Sequence, residues 1–125
     1  MAKWIALLSG GALGTLARYG LGGIIHQFLG SSFPYGTLAV NLTGCGLIGF
    51  LAVLSEDKFL LSPSSQIFLM IGFCGAYTTF SAFMLETANL MKDGENVRAF
   101  MNIFASIVFG FLALKTGILI AKLIN

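Results

Sequence analysis

No aspartate, glutamate, lysine or arginine occurs between Arg18 and Glu56. That gap constrains the fold more than any other feature of the chain. A helix needs about 20 mostly apolar residues to cross the hydrocarbon core of a bilayer. The gap therefore holds the end of one such helix, a turn and the whole of a second. The turn is legible as Gly30-Ser31-Ser32-Phe33-Pro34-Tyr35-Gly36, a cluster of small, polar and helix-breaking residues.

The remaining charges mark the other turns. Ser55-Glu56-Asp57-Lys58 ends the second apolar run, Ser62-Pro63-Ser64-Ser65 opens the third, and Lys92-Asp93-Gly94-Glu95-Asn96 separates the third from the fourth. The expected architecture is an all-α membrane protein, one transmembrane domain over residues 1–125 with helices at 4–29, 36–55, 64–91 and 96–123. Open β-structure would leave backbone groups unsatisfied in hydrocarbon. Barrel strands alternate in polarity, and these runs do not.

Composition excludes the soluble alternatives. Charged residues are 10% of the chain and hydrophobic residues 57%, where a soluble domain carries roughly 25% charge. A small soluble domain still exposes about a third of its chain surface, which this sequence lacks the polar residues to cover. An ordinary cytosolic enzyme and a disordered regulator are excluded. A net charge of +2 is no electrostatic footprint for nucleic acid. Cys45 and Cys74 lie inside apolar stretches and read as free thiols. Lys3 followed by apolar residues resembles a secretory leader. Everything downstream is equally apolar, so a first transmembrane helix is expected instead.

Four crossings would place both termini and the second loop on one side, with Lys3, Lys58 and Lys122 near the helix ends and Lys115 slightly inside. Lys92 and Arg98 lie on the other. Lys/Arg bias orients membrane proteins, and here it is nearly zero. Two readings remain open: insertion both ways, which allows an antiparallel homodimer, or one weakly biased topology.

Three features call for a physical reason. Gly10, Gly14, Arg18 and Gly22 recur every fourth residue and share a face of the first helix, while Gly44, Gly46 and Gly49 crowd the second. Such faces let helices approach closely in lipid. Next, Gly72-Phe73-Cys74-Gly75-Ala76-Tyr77-Thr78-Thr79-Phe80-Ser81-Ala82-Phe83 places glycines and a threonine pair, poor helix formers, near the middle of the third segment. About half a bilayer lies on either side at 1.5 Å per residue, which points to a helix broken near the midplane beside a polar cavity. A continuous helix packed through its glycines is the alternative. Phe80 and Phe83 are three apart and present neighbouring rings, whose positive edges can meet an anion, while ordinary packing or lipid-facing mass is the other reading of any phenylalanine here.

The third feature is a set of neutral polar residues within the apolar runs. Thr37 and Asn41 share a face of helix two, Asn102 and Ser106 share a face of helix four, and Thr79 and Ser81 flank Phe80. Neutral donors suit an anion that must shed water without being trapped, and they serve equally as interhelical glue. Arg18 and Glu86 are the ionisable residues deepest in the membrane. Arg18 can draw anions into a vestibule or anchor a loop. Glu86 reads chiefly as a hydrogen-bonding group. His26 with two separated cysteines makes no metal or haem site, and no nucleophile–base set or paired carboxylate is placed for catalysis. The chain is not expected to be an enzyme.

Three stretches together resemble the Fluc (CrcB) fluoride channels over essentially the whole chain: Gly10-Gly11-Ala12-Leu13-Gly14-Thr15-Leu16-Ala17-Arg18-Tyr19, Tyr35-Gly36-Thr37-Leu38-Ala39-Val40-Asn41, and the segment from Gly72 to Phe83 with Glu86. The resemblance implies a dual-topology antiparallel homodimer in the inner (plasma) membrane, embedded in lipid, with two pores that export toxic fluoride. It implies that Phe80 and Phe83 line the pore, that Asn41 donates to fluoride, and that Thr37 belongs to the polar path. It also implies a structural sodium ion at the dimer centre, held by backbone carbonyls of Gly75 and Thr78, with Arg18 at the vestibule and Glu86 as the family's carboxylate. Thr79, Ser81, Asn102 and Ser106 complete the expected pore. Ala82, Asn102 and Gly110 depart from the common pattern, which bears on conduction more than on selectivity.

A small proton-coupled multidrug exporter, also four helices, is the alternative. It needs an intramembrane carboxylate, and helix one has none, so Glu86 would have to serve. A non-transporting scaffold gives no reason for Asn41, the helix break and the phenylalanine pair to coexist.

Overall fold

Turn residues end the helices where the sequence places them. In a computed structural model, which describes residues 1–124, helix α1 runs Ala2–Leu29 and stops at Gly30. Gly30 takes φ 78°, a conformation that costs other residues, and its amide bonds to the His26 carbonyl at 2.9 Å. Helix α2, Tyr35–Ala52, begins after Pro34 and continues through a wider, π-helical turn at Val53–Asp57. The next helix starts at a proline, where the missing amide is harmless, and Ser62 accepts the Ser65 amide at 3.2 Å. Pro63–Gln66, π-helical Ile67–Cys74 and Gly75–Tyr77 follow without interruption and together form α3. Helix α4 is Phe80–Lys92, and α5 is Asn96–Leu123. Among the described residues, every regular element is helical.

The third expected helix is thus two helices, broken at Thr78 and Thr79, whose backbones are extended (ψ 158° and 119°). The break belongs to the threonines and not to the glycines. Gly72 lies inside unbroken helix, where a Cβ would come within 2.9 Å of the Leu7 carbonyl oxygen of α1. Thr79 caps α4 by accepting the Ala82 amide on Oγ1 at 3.3 Å, which gives the chain a reason to restart there.

Three segments are long and apolar enough to cross a membrane: Tyr35–Asp57, Pro63–Lys92 and Asn96–Leu123. Helix α1 has the length, 28 residues, but Lys3, Ser9, Thr15, Arg18 and His26 dilute it. Packing holds it to the bundle: a Cβ on Gly10 or Gly14 would strike the backbone carbonyls of Phe68 and Phe73 in α3. The α2–α5 contact is built the same way, Gly49 against the Leu114 carbonyl and Gly117 against the Gly46 carbonyl. Backbone meets backbone because lipid is as apolar as leucine, so close packing rather than burial of large side chains drives association. Accordingly the core is small, and Leu8, Phe28, Phe100, Phe104, Ile107 and Leu119 face outward. Arg98 donates to the Ser32 carbonyl at 3.3 Å, tying the start of α5 to the α1–α2 turn at one end of the bundle.

Candidate functional site

Breaking a helix frees backbone groups that must find partners in a medium without water. Helix α2 supplies them. Asn41 Oδ1 accepts the Thr79 amide at 2.8 Å, and Asn41 Nδ2 donates to the Thr79 carbonyl at 2.9 Å. One side-chain amide thereby pairs with both backbone groups of one residue, as a neighbouring strand would. One turn away, Gly44 lets the Thr78 methyl and the Tyr77 ring press against the α2 backbone. In the other direction, Thr37 donates to Glu86 Oε1 at 2.7 Å. Thr37, Asn41 and Gly44 recur at helical spacing and run along α2 as a splint for the broken segment.

A groove of about 460 Å³ opens beside the break, lined by Asn41, Thr78, Thr79, Phe80, Phe83 and Ser106, with Gly75 and Cys74 at its wall. Phe80 and Phe83 meet edge to face, ring centroids 5.9 Å apart and planes at 61°. They differ in exposure. Phe83 is 7% exposed and fixed in the core, whereas Phe80 is 73% exposed and stands at the open side.

The hydrogen bonds decide which groove residues keep a donor free. Thr78 Oγ1 donates to the Cys74 carbonyl at 2.9 Å, so its proton is engaged. Thr79 Oγ1 accepts from Ala82, which leaves its own proton available. Asn41 Nδ2 has a second N–H beyond the one used on Thr79. Ser106 Oγ is shielded and without a partner. Three neutral donors, from Asn41, Thr79 and Ser106, therefore remain around the ring pair.

Other expected pore residues lie elsewhere. Thr37 is engaged with Glu86. Asn102, 2% exposed, donates to Thr87 Oγ1 at 2.9 Å, and Thr87 donates to the Phe83 carbonyl at 2.8 Å. This relay joins α5 to α4 at the Phe83 backbone and does not line the groove. Ser81 is exposed outside it. Arg18 is partly buried with its Nε unpartnered, as is Glu86 Oε2.

Gly75 and Thr78 fit a hard cation by their chemistry. In a continuous helix the Thr79 amide would bond to the Gly75 carbonyl and the Ala82 amide to the Thr78 carbonyl. Here those amides turn to Asn41 and to Thr79 Oγ1. Both carbonyls lose their helical partners, and a Cβ at Gly75 would meet nothing within 4 Å. Neutral carbonyl oxygens freed of their helical partners suit an alkali-type ion.

Sequence reasoning missed Thr43, Tyr77 and Thr87. Thr43 is two residues from Asn41, hence off its helical face, and nothing in its spacing marks it. Tyr77 Oη lies 2.7 Å from Thr43 Oγ1. Gly44, read from the sequence as a close-packing glycine, takes that part against Thr78 and Tyr77.

The profile of the family described as CrcB-like protein, Camphor Resistance (CrcB), matches residues 5–118. Proteins named fluoride-specific ion channel FluC are similar throughout. The one from Desulforapulum autotrophicum is 46% identical over 122 residues, 98% of each chain. That from Chlorobium phaeobacteroides is 45% identical, covering 97% of this chain and 96% of its own. That from Methylocella silvestris is 44% identical, covering 98% and 93%.

Proposed function

This chain belongs to the CrcB-like family, and on that premise we propose that it is a fluoride-selective passive channel, exporting the toxic anion across the cell membrane. It is a multi-pass membrane protein. The observation that carries the reading is the groove at the helix break, where two phenylalanine rings and three unengaged neutral donors converge with no carboxylate among them.

Fluoride is small and holds its water tightly. It enters a dry path only where other donors replace that water. The second N–H of Asn41 and the hydroxyls of Thr79 and Ser106 serve as such donors, and the rims of Phe80 and Phe83 offer the positive edge of the aromatic quadrupole. Neutral ligands bind the ion without trapping it, which is the condition for conduction. Larger halides fit the constriction poorly and accept hydrogen bonds weakly. Cations meet the wrong edge of the rings. Arg18 supplies positive potential that raises the local anion concentration.

The working unit is an antiparallel homodimer with its axis in the membrane plane. Two features support this: the Lys/Arg bias between the two sides is nearly zero, and Phe80 stands open at the groove, where a second copy would close the wall. In this unit α1 is the fourth crossing, and lipid surrounds the outward apolar faces. Gly75 and Thr78 carbonyls from both copies would hold a structural sodium ion, whose role is to neutralise oxygens left bare at the break. Catalysis has no part in this function.

The test is efflux from liposomes containing the purified protein, read with fluoride and chloride electrodes. Fast loss of fluoride without chloride is expected, reduced at least tenfold in Phe80→Ala with the dimer intact by size exclusion, and reduced when sodium is replaced by a bulky organic cation. Proton-driven drug uptake without fluoride loss would instead establish an exporter.

A further inference from the structure

The break in the third segment needs two points of attachment. A single anchor fixes where a segment sits but lets it pivot. Asn41 anchors the downstream side, through both backbone groups of Thr79. Upstream, Gly75–Tyr77 is one short turn that follows a π-helical run and ends at an extended residue. Its own hydrogen bonds support it weakly.

Tyr77 closes that turn. It is 7% exposed, its ring stacks on Phe73 with centroids 5.6 Å apart and planes 16° from parallel, and it lies against the Cα of Gly44. Its hydroxyl is 2.7 Å from Thr43 Oγ1. The direction of this bond follows from counting protons. Thr43 has one hydroxyl proton and two carbonyls in reach, Ala39 at 2.8 Å and Val40 at 3.1 Å, which can only accept, so its proton is used within α2. Tyr77 is therefore the donor and Thr43 the acceptor. A phenol on an apolar wall has no water to turn to, so the bond is held.

We infer that the Tyr77–Thr43 hydrogen bond is a positioning device for the permeation groove: it pins the last turn of α3 to α2 so that Thr78, Thr79 and Phe80 keep their places. Neither residue donates into the groove, and neither is a pore residue. The inference rests on the channel reading for its effect on flux and stands on the geometry alone for its effect on the break.

Three variants test it in the full-length protein: Tyr77→Phe, Thr43→Val and the double. Each removes the pin, so each lowers the initial fluoride efflux per folded protein by about two- to tenfold, the range of one net hydrogen bond. The losses do not multiply in the double variant, because one bond is removed once. Thermal stability follows another order. Thr43→Val leaves a buried phenol hydroxyl unpaired and lowers the melting temperature most, while the double variant recovers to the level of Tyr77→Phe. Hydrogen–deuterium exchange of a peptide spanning residues 74–83 accelerates in all three. Unchanged efflux and exchange in Tyr77→Phe, or losses that multiply in the double, overturn the inference. If wild-type liposomes release no fluoride while exchange still accelerates, the channel reading fails and the pin stands.

Discussion

Replacing Asn41 with leucine removes the clamp on the helix break while keeping the number and branching of the side-chain heavy atoms. Two hydrogen bonds are lost, the Thr79 amide to Oδ1 at 2.8 Å and Nδ2 to the Thr79 carbonyl at 2.9 Å. Leaving a buried backbone group unpaired costs about 1–3 kcal/mol, so the broken conformation loses about 2–6 kcal/mol. A competing arrangement is close at hand: the Thr79 amide returns to the Gly75 carbonyl and the helix runs through. At about 1.4 kcal/mol per factor of ten, the ratio of broken to continuous form falls more than tenfold. Fluoride efflux from liposomes, normalised to folded protein, should fall at least tenfold. Exchange at residues 74–83 should change in pattern, slower at Thr79 if the helix closes and faster if it frays. Asn41→Asp keeps an acceptor for the Thr79 amide but sets a carboxylate oxygen against the Thr79 carbonyl and places negative charge on an anion's path, so its efflux also falls. Wild-type efflux in Asn41→Leu with the Thr79 amide as protected as before would refute both the clamp and its importance.

Three further substitutions separate packing from permeation. Gly117→Ala would drive a methyl into the Gly46 carbonyl and to within 2.9 Å of the Phe50 amide nitrogen, backbone atoms that cannot swing aside. It should cost about 1–3 kcal/mol, seen as a lower denaturant midpoint in detergent, while Gly20→Ala, whose Cβ meets nothing within 4 Å, leaves the midpoint unchanged. Ser106→Ala removes a shielded hydroxyl that has no partner. Its melting temperature should hold or rise, since no hydrogen bond is lost, while fluoride efflux falls. A fall in both would make Ser106 a structural residue.

Much of the architecture could be read from the chain. The gap in charge between Arg18 and Glu56, the Gly30–Gly36 turn and the Ser62-Pro63 start each correspond to an observed helix boundary within a few residues. Three apolar crossing segments follow from hydropathy, because hydrocarbon leaves a backbone few ways to satisfy itself, and α1 is legible as a fourth helix beside them. The break was expected near Gly72 to Phe83 and occurs there, at the threonine pair that was one of its two expected causes and not at the glycines. Spacing could not show that Gly72 serves a contact with α1 while Thr79 caps a new helix. The polar residues were legible as a set and not as individuals. Thr37, Asn41, Asn102 and Ser106 looked alike as intramembrane donors, yet Thr37 is engaged with Glu86, Asn102 with Thr87, and Asn41 with Thr79, while Ser106 has no partner.

By itself the sequence determined where the chain crosses, which residues are too polar to face lipid, and which glycines permit close approach. These are local properties, fixed by transfer free energies and by the period of a helix. The tertiary structure alone decided which donors are used up in holding helices together and which remain unengaged, because a hydrogen is committed only when a particular acceptor on another helix comes within 3 Å or so.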